Sequence, residues 1–240
     1  MIGRRVAPWA GGWALLAALH ATGAAAQQPA PAPDPTVEKL GDNLLRVGTI
    51  QVDLAKHQIS LAGVVNNVAT LEFVANSKGG RKAYESALEL DAGAVVFNLA
   101  LILIGLDKAN AVPARRHFDP RPPEGDPVEI WVEWQDVSGA RKVRAEDLIY
   151  SVQTKDTLPH GPWVYTGSVF LRNGRYLAEV DGTLIGFVHT PAPIIENPLP
   201  HGVGRYGSFR LNPNLTLKPG MPVRVTVTAL PRAATDERRP

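Results

Sequence analysis

The sequence contains no cysteine. That excludes disulfides, thiolate zinc sites, iron–sulfur ligation, thiol catalysis and a lipid-bearing cysteine behind a leader. The fold must be held by burial alone, and about 200 residues suffice for one sizeable core. An excess of one charge sign is missing too. Of 25 basic and 23 acidic residues, residues 1–26 hold two basic ones, Arg4 and Arg5, and no acidic one, so the remainder is neutral in formal charge. A balanced remainder offers no clustered basic field for nucleic acid. The sequence also lacks H-E-x-x-H, G-x-S-x-G, S-x-x-K, a P-loop and a G-x-G-x-x-G behind a strand. Its nearest glycine pattern, "GVGRYG" at Gly202–Gly207, follows a proline-rich crossing and opens into a strand. No helix N-terminus is then available for a phosphate. No cofactor is expected.

A long apolar run stands at the start. "MIGRRVAPWAGGWALLAALHATGAAAQQ" has a basic pair, an apolar run and the small residues Ala24, Ala25 and Ala26. This is the layout of a secretory signal over 1–26, with cleavage expected after Ala26. Twin-arginine export would need hydrophobic residues just behind the arginines, and they are missing. An uncleaved anchor from Val6 to Ala26 has the length of a membrane span, about 20 residues, but its Gly, Ala and His20 weaken that reading. The expected location is periplasmic or secreted, with membrane contact only through a retained leader. Residues 27–40 begin "QQPAPAPDPTVE" and read as a Pro/Ala-rich spacer in polyproline II. Residues 41–230 read as one domain, and 231–240 as a charged, flexible tail.

Alternation predicts strands around a turn near Ala55–His57, with Ile50 and Val52 before it and Ile59 and Leu61 after it. "ATLEFVANS" is a further strand. In "GGRKAYESALELD", helix propensity competes with a period of two. The strand reading places Tyr84, Ser86, Leu88 and Leu90 on one face and Glu85 and Glu89 on the other, wetter one. "AGAVVFNLALILI" is apolar nearly all round and predicts a buried core helix, capped by Asp91 and stopped by Gly105. Its one polar member, Asn98, needs an internal partner. Five prolines make 113–127 an irregular surface loop. "VEIWVEW" then alternates, with Val128, Ile130, Val132 and Trp134 facing inward. If Gln135 pairs with Ala140 across the "DVSG" turn, Glu133 faces Lys142, Trp131 faces Arg144, and Val132 meets Val143. Asn173–Gly174 signals a hairpin, and Asp181–Gly182 a second turn, giving a three-stranded meander from Trp163 to Thr190. "YGSFRLNP" and "MPVRVTVTAL" complete the strands.

The candidate chemistry is sparse. On a strand, Lys82, Tyr84 and Ser86 share a face at about 6–7 Å spacing, so a Ser–Lys or Tyr–Lys pair is conceivable. No base and orienting group accompany them. His57, His117, His160, His189 and His201 are isolated and read as turn or surface residues, so no metal site is expected. Trp131, Trp134, Trp163, Tyr165 and Phe170 read as β packing, with a ligand groove lined by one or two of them as the alternative.

The order of motifs, "VxVD…K…I", "G…YES…L…DA", "LxLIGL", "VEIWVEWQD…G…VRAEDLI", "GPWVYTGSVF" and "PGMPVRVTV", resembles the bacterial YdjY-domain family of exported proteins over most of Thr49 to Leu230. The resemblance implies a strand before the core helix and carries over no catalytic residues. Iron–sulfur ligation described for some relatives cannot apply to a chain without cysteine. Family members often show His before "ES", where Tyr84 stands here.

Together these readings predict an α+β domain, mostly antiparallel β with one buried core helix at about 92–104, or alternatively a β-sandwich with a helical insertion. The leading functional expectation is a non-catalytic binding or assembly module of the envelope. Its partner would be an envelope protein or polymer, and its candidate contacts are Tyr84, Glu85, Ser86, Trp131, Trp163 and Asp181. The rivals are a periplasmic hydrolase or transferase using Ser86, Tyr84 or Lys82, and an envelope carbohydrate binder using exposed Trp131 or Trp163.

Overall fold

In the computed structural model the described residues are 36–200 and 206–232. The expected leader, most of the spacer and the end of the charged tail lie outside them. Among the described residues no helix is long and apolar enough to cross a membrane.

The chain opens as an antiparallel run: β1 (Val37–Lys39), β2 (Leu44–Val47), β3 (Ile50–Asp53) and β4 (Gln58–Val65), each pairing with the next. β1 lies inside the expected spacer, so the folded part begins by Val37. Ile50, Val52, Ile59 and Leu61 are all buried, as alternation predicts. β5 (Phe73–Ser77) follows. The next stretch departs from expectation. Ala83–Glu85 form one 3-10 turn, and β6 starts only at Ser86 and ends at Leu90. A 3-10 turn advances the chain by three residues per revolution rather than two. At the turn the two positions are therefore exchanged, Tyr84 being 60% exposed and Glu85 3%, whereas Ser86, Leu88 and Leu90 are buried as expected.

α1 (Ala94–Leu103) is shorter than the expected core helix and is not buried all round, since Val95 and Ile102 are exposed. It packs on β2 and β3, and on the later segments Leu177–Asp181 and Thr183–Gly186, through Phe97, Ala100 and Leu101. Asp91 does not cap it; that carboxylate pairs with Lys78 at 2.7 Å. Glu179 takes the capping role, accepting from the backbone N–H groups of Ala94 at 2.9 Å and Val95 at 3.4 Å. Asn98 finds its partner, accepting from the Tyr165 hydroxyl at 2.8 Å.

β7 (Asp126–Asp136) and β8 (Gly139–Arg144) form the expected hairpin, with Gln135 opposite Ala140, Glu133 opposite Lys142 and Trp131 opposite Arg144. β9 (Ile149–Ser151) and β10 (Asp156–Thr157) belong to a separate small sheet, and β11 (Trp163–Tyr165) is short. The expected meander does not form. The Asn173–Gly174 turn leads only to an isolated bridge between Phe170 and Tyr176. Beyond it the chain makes a short helix, α2 (Leu177–Asp181), ended by Gly182 at a φ of 71°. β12 (Thr183–Gly186) and β13 (Ile195–Glu196) then run parallel to each other, and β14 (Phe209–Leu211) joins β9. β15 (Pro222–Ala229) lies between β4 and β7.

Pairing is circular. The order β4–β15–β7–β11–β13–β12–β5–β6 returns to β4, which closes an eight-stranded barrel. This overturns both the α+β layer built on a core helix at 92–104 and the sandwich with a helical insertion. The cause is local to β4. Residues 58–60 pair with β3, while Gly63, Val64 and Val65 pair with Leu90, Glu89 and Leu88 of β6. A Cβ at Gly63 would stand 2.7 Å from both the Glu89 carbonyl oxygen and a Leu90 methyl, so the closing seam needs glycine. Eight strands leave an interior that side chains fill. Ile59, Leu61, Val128, Ile130, Val132, Trp163, Tyr165, Val225 and Val227 are buried there. The proline-rich segment is irregular as expected but folded down, with Asp119 fully buried.

Candidate functional site

The site grows from the parallel pairing of β5 and β6. Phe73 lies beside Ser86, and just before them the Glu72 N–H donates to the Glu85 carbonyl at 2.9 Å. Two glutamates therefore stand side by side on neighbouring chains at one barrel rim. Glu72 is 4% and Glu85 3% exposed. Adjacent buried carboxylates repel each other and lose hydration, so each needs its own partner. For Glu85 that partner is Lys82, with Nζ 2.6 Å from Oε1. For Glu72 it is His117, with Nε2 3.3 Å from Oε2 and its ring stacked on Phe118 at 3.9 Å.

Lys82 is boxed in further. Its ammonium donates to the Tyr84 hydroxyl at 3.2 Å and lies 5.9 Å from the centroid of the Phe73 ring and 5.5 Å from that of Tyr84. Desolvation works against its charge, but the hydrogen bonds to Glu85 and Tyr84 outweigh it and hold its pKa above the ordinary lysine value. Lys82 is thus an ammonium, not a base. Tyr206, 64% exposed, borders the same cluster. Partial loss of water raises its phenol pKa first, and the charges of Glu85 and Glu72 add to that.

The expected contacts are only partly brought together. Tyr84 and Glu85 belong to the cluster. Ser86 is fully buried, and its hydroxyl donates to the Lys82 carbonyl at 2.8 Å, so it is neither accessible nor paired with a base. Asp181 ends α2, half-buried, near the backbone contact between Gly80 and Gly182. Trp163 is completely buried in the core and cannot line a groove. Trp131 donates its indole N–H to Glu129 at 2.7 Å, and Lys142 and Arg144 lie over its ring at 5.1 and 5.5 Å. None of these six residues lines the two adjoining grooves on the outer wall near Ala62 and Pro222, of about 560 and 330 Å³.

Sequence reasoning missed Glu72, His117 and Tyr206. Glu72 looked like a polar residue of an alternating strand, and His117 and Tyr206 sit in loops remote in sequence. The pairing of β5 with β6 brings Glu72 beside Glu85, and backbone bonds from Phe118 to His189 and from Leu71 to Phe209 tie down the loops of His117 and Tyr206. His189, expected in a turn or at the surface, is buried instead, with Nδ1 2.8 Å from the Asp119 carbonyl oxygen and Nε2 3.1 Å from that of Asn197. Among the described residues no three His, Asp or Glu side chains are placed to share a metal ion.

The family model of the YdjY domain covers residues 50–228, and the chain belongs to that family. No curated protein and no solved structure matches it.

Proposed function

We propose that this YdjY-domain chain is a non-catalytic binding or assembly module of the cell envelope, periplasmic or secreted, and that it contacts its partner through the Lys82–Tyr84–Glu85 turn and Tyr206. One observation carries the reading: two large aromatic side chains stand exposed beside two buried glutamates, Glu85 paired with Lys82 and Glu72 in contact with the His117 ring. Exposed aromatics next to desolvated charge are what a binding surface offers, not what a fold requires. The hydrolase alternative lacks support in the geometry, since Ser86 is buried and Lys82 is held protonated. A tryptophan-based carbohydrate site is equally unsupported, with Trp163 in the core and Trp131 covered by cations.

The test is a photo-crosslinking amino acid at position 84 of the full chain, expressed from its own leader in a Gram-negative host. A discrete adduct in the periplasmic fraction, lacking when the probe sits at the exposed hairpin tip Val137, is the expected result. Retention in the cytoplasm, or the same adducts from both positions, would refute the proposal.

A further inference from the structure

We infer that the trough beside the end of β15 is a binding site for an extended, arginine-bearing peptide segment, and that residues 230–232 of this chain occupy it in cis. β15 stops at Ala229, and the strap behind it is tied to the start of β7, where the Leu230 N–H donates to the Pro127 carbonyl at 2.9 Å. Cavities of about 600 and 540 Å³ lie against this strap. Asn110, Leu230, Pro231 and Arg232 border both of them, so the strap is the partition of one longer trough. None of the residues around it belongs to the cluster at Tyr84, and the site stands independently of the surface proposed above.

The floor of the trough is arranged for a cation and stays arranged without one. Asp126 is 6% exposed, and three groups hold its carboxylate. The Asp107 N–H donates to Oδ2 at 2.6 Å, and the Asn110 amide donates to Oδ1 at 3.1 Å. Arg232 donates to the same Oδ1 through Nε at 2.6 Å and through Nη2. The two halves of this ion pair are unequally placed, the Arg232 side chain being 52% accessible and that of Asp126 9%. The guanidinium can therefore swing into water, while the carboxylate left behind keeps two donors and is not stranded. Pro231 and Arg232 are both exposed, so little apolar surface holds the strap down.

Charge says what replaces it. Among the described residues lining the two cavities, Arg232 is the only lysine or arginine, against the carboxylates of Asp107, Glu124 and Asp126. With the strap lifted, that acidic lining attracts a guanidinium and repels anions. The strap itself supplies the pattern: an apolar residue and a proline ahead of the arginine, with the proline keeping the chain extended. A partner presenting the same pattern competes with a strap whose effective concentration, as a short tether, is on the order of millimolar.

The experiment is fluorescence anisotropy with a labelled hexapeptide copying residues 229–234, ALPRAA, titrated with the full chain secreted from its own leader and with its Arg232→Ala variant. The variant, whose strap keeps only the Leu230 backbone bond among the described residues, should bind the peptide at least ~10-fold more tightly than the unaltered chain. The same peptide with citrulline for arginine, alike in shape but uncharged, should bind the variant at least ~10-fold more weakly. Asp126→Asn added to Arg232→Ala should weaken the arginine peptide to the same degree, and the citrulline comparison decides the matter if that double variant does not fold. Three results would each overturn the inference: equal affinity of the unaltered chain and Arg232→Ala, equal affinity of the variant for the arginine and citrulline peptides, or no binding by the variant at millimolar concentration. Crosslinking from position 84 can succeed or fail without touching this outcome.

Discussion

Replacing Glu196 by glutamine should change how stability depends on pH, and in a direction set by burial. Glu196 sits in β13 and is fully buried. One carboxyl oxygen accepts from the Thr190 N–H at 2.9 Å, and the other has no hydrogen-bond partner among the described residues. Desolvation pushes its pKa up from 4.5 to about 8, and the nearby Asp119 charge adds to the shift. The folded chain therefore holds this proton more tightly than the unfolded chain does. Stability is fully present below the unfolded value and is lost as pH rises toward the folded one. Each tenfold difference in proton affinity is about 1.4 kcal/mol, so Glu196 costs the fold roughly 3 kcal/mol at pH 7 and roughly 5 kcal/mol above pH 8. Glutamine has nearly the same shape, keeps an acceptor for Thr190 and does not titrate. Urea unfolding of the full chain and of Glu196→Gln should agree within about 1 kcal/mol near pH 4 and diverge with rising pH, the variant being the more stable. Parallel curves, or a variant less stable at about pH 9, would refute a neutral, desolvated Glu196.

Three further outcomes follow from the fold. Gly63→Ala places a Cβ 2.7 Å from the Glu89 carbonyl oxygen at the barrel seam and should cost about 1–3 kcal/mol in urea unfolding. Glu179→Ala removes the acceptor at the start of α1 and should cost about 1 kcal/mol, with Glu179→Gln losing less because an oxygen remains. Fluorophosphonate should leave the full chain unlabelled at Ser86, as read by mass spectrometry, since that hydroxyl is buried and donates to Lys82.

What the sequence made legible depended on length and on which faces are covered. The β7–β8 hairpin could be read to the residue, because eleven alternating positions and a tight turn leave one register that buries Val128, Ile130, Val132 and Trp134. A strand after the Asp181–Gly182 turn was expected and forms as β12, but its register and its parallel partner β13 gave no such signal. The two strands are short, parallel to each other and buried on both faces, so their apolar runs carry no period. The Asn173–Gly174 turn was read correctly as a turn but overextended into a strand, since Leu177–Asp181 form a short helix ended by Gly182. Closure itself was invisible, because it depends on β4 changing partners midway along its length. Within the site, Tyr84 was singled out while the turn that exposes it was not, and that turn decides which neighbour is buried.

The Lys82–Glu85 pair allows the contributions of fold and function to be separated. A buried ion pair is seldom the most stable use of its space, and well-packed apolar replacements are often neutral or stabilising. Its two halves are unequally placed: the Lys82 side chain is 30% accessible, and that of Glu85 is 4%. Glu85→Leu leaves an ammonium that can turn toward water, whereas Lys82→Met strands a carboxylate that cannot. The lysine variant should therefore lose more, roughly 3 kcal/mol against about 1 kcal/mol, and the double variant should regain most of the loss. Photo-crosslinking from position 206, which leaves Tyr84 in place, should nevertheless vanish in the double variant, since Tyr84 then loses the ammonium that orients its ring. Recovered stability together with lost crosslinking would mark the pair as kept for binding. A double variant as unstable as Lys82→Met alone would mean instead that the charges hold the rim together.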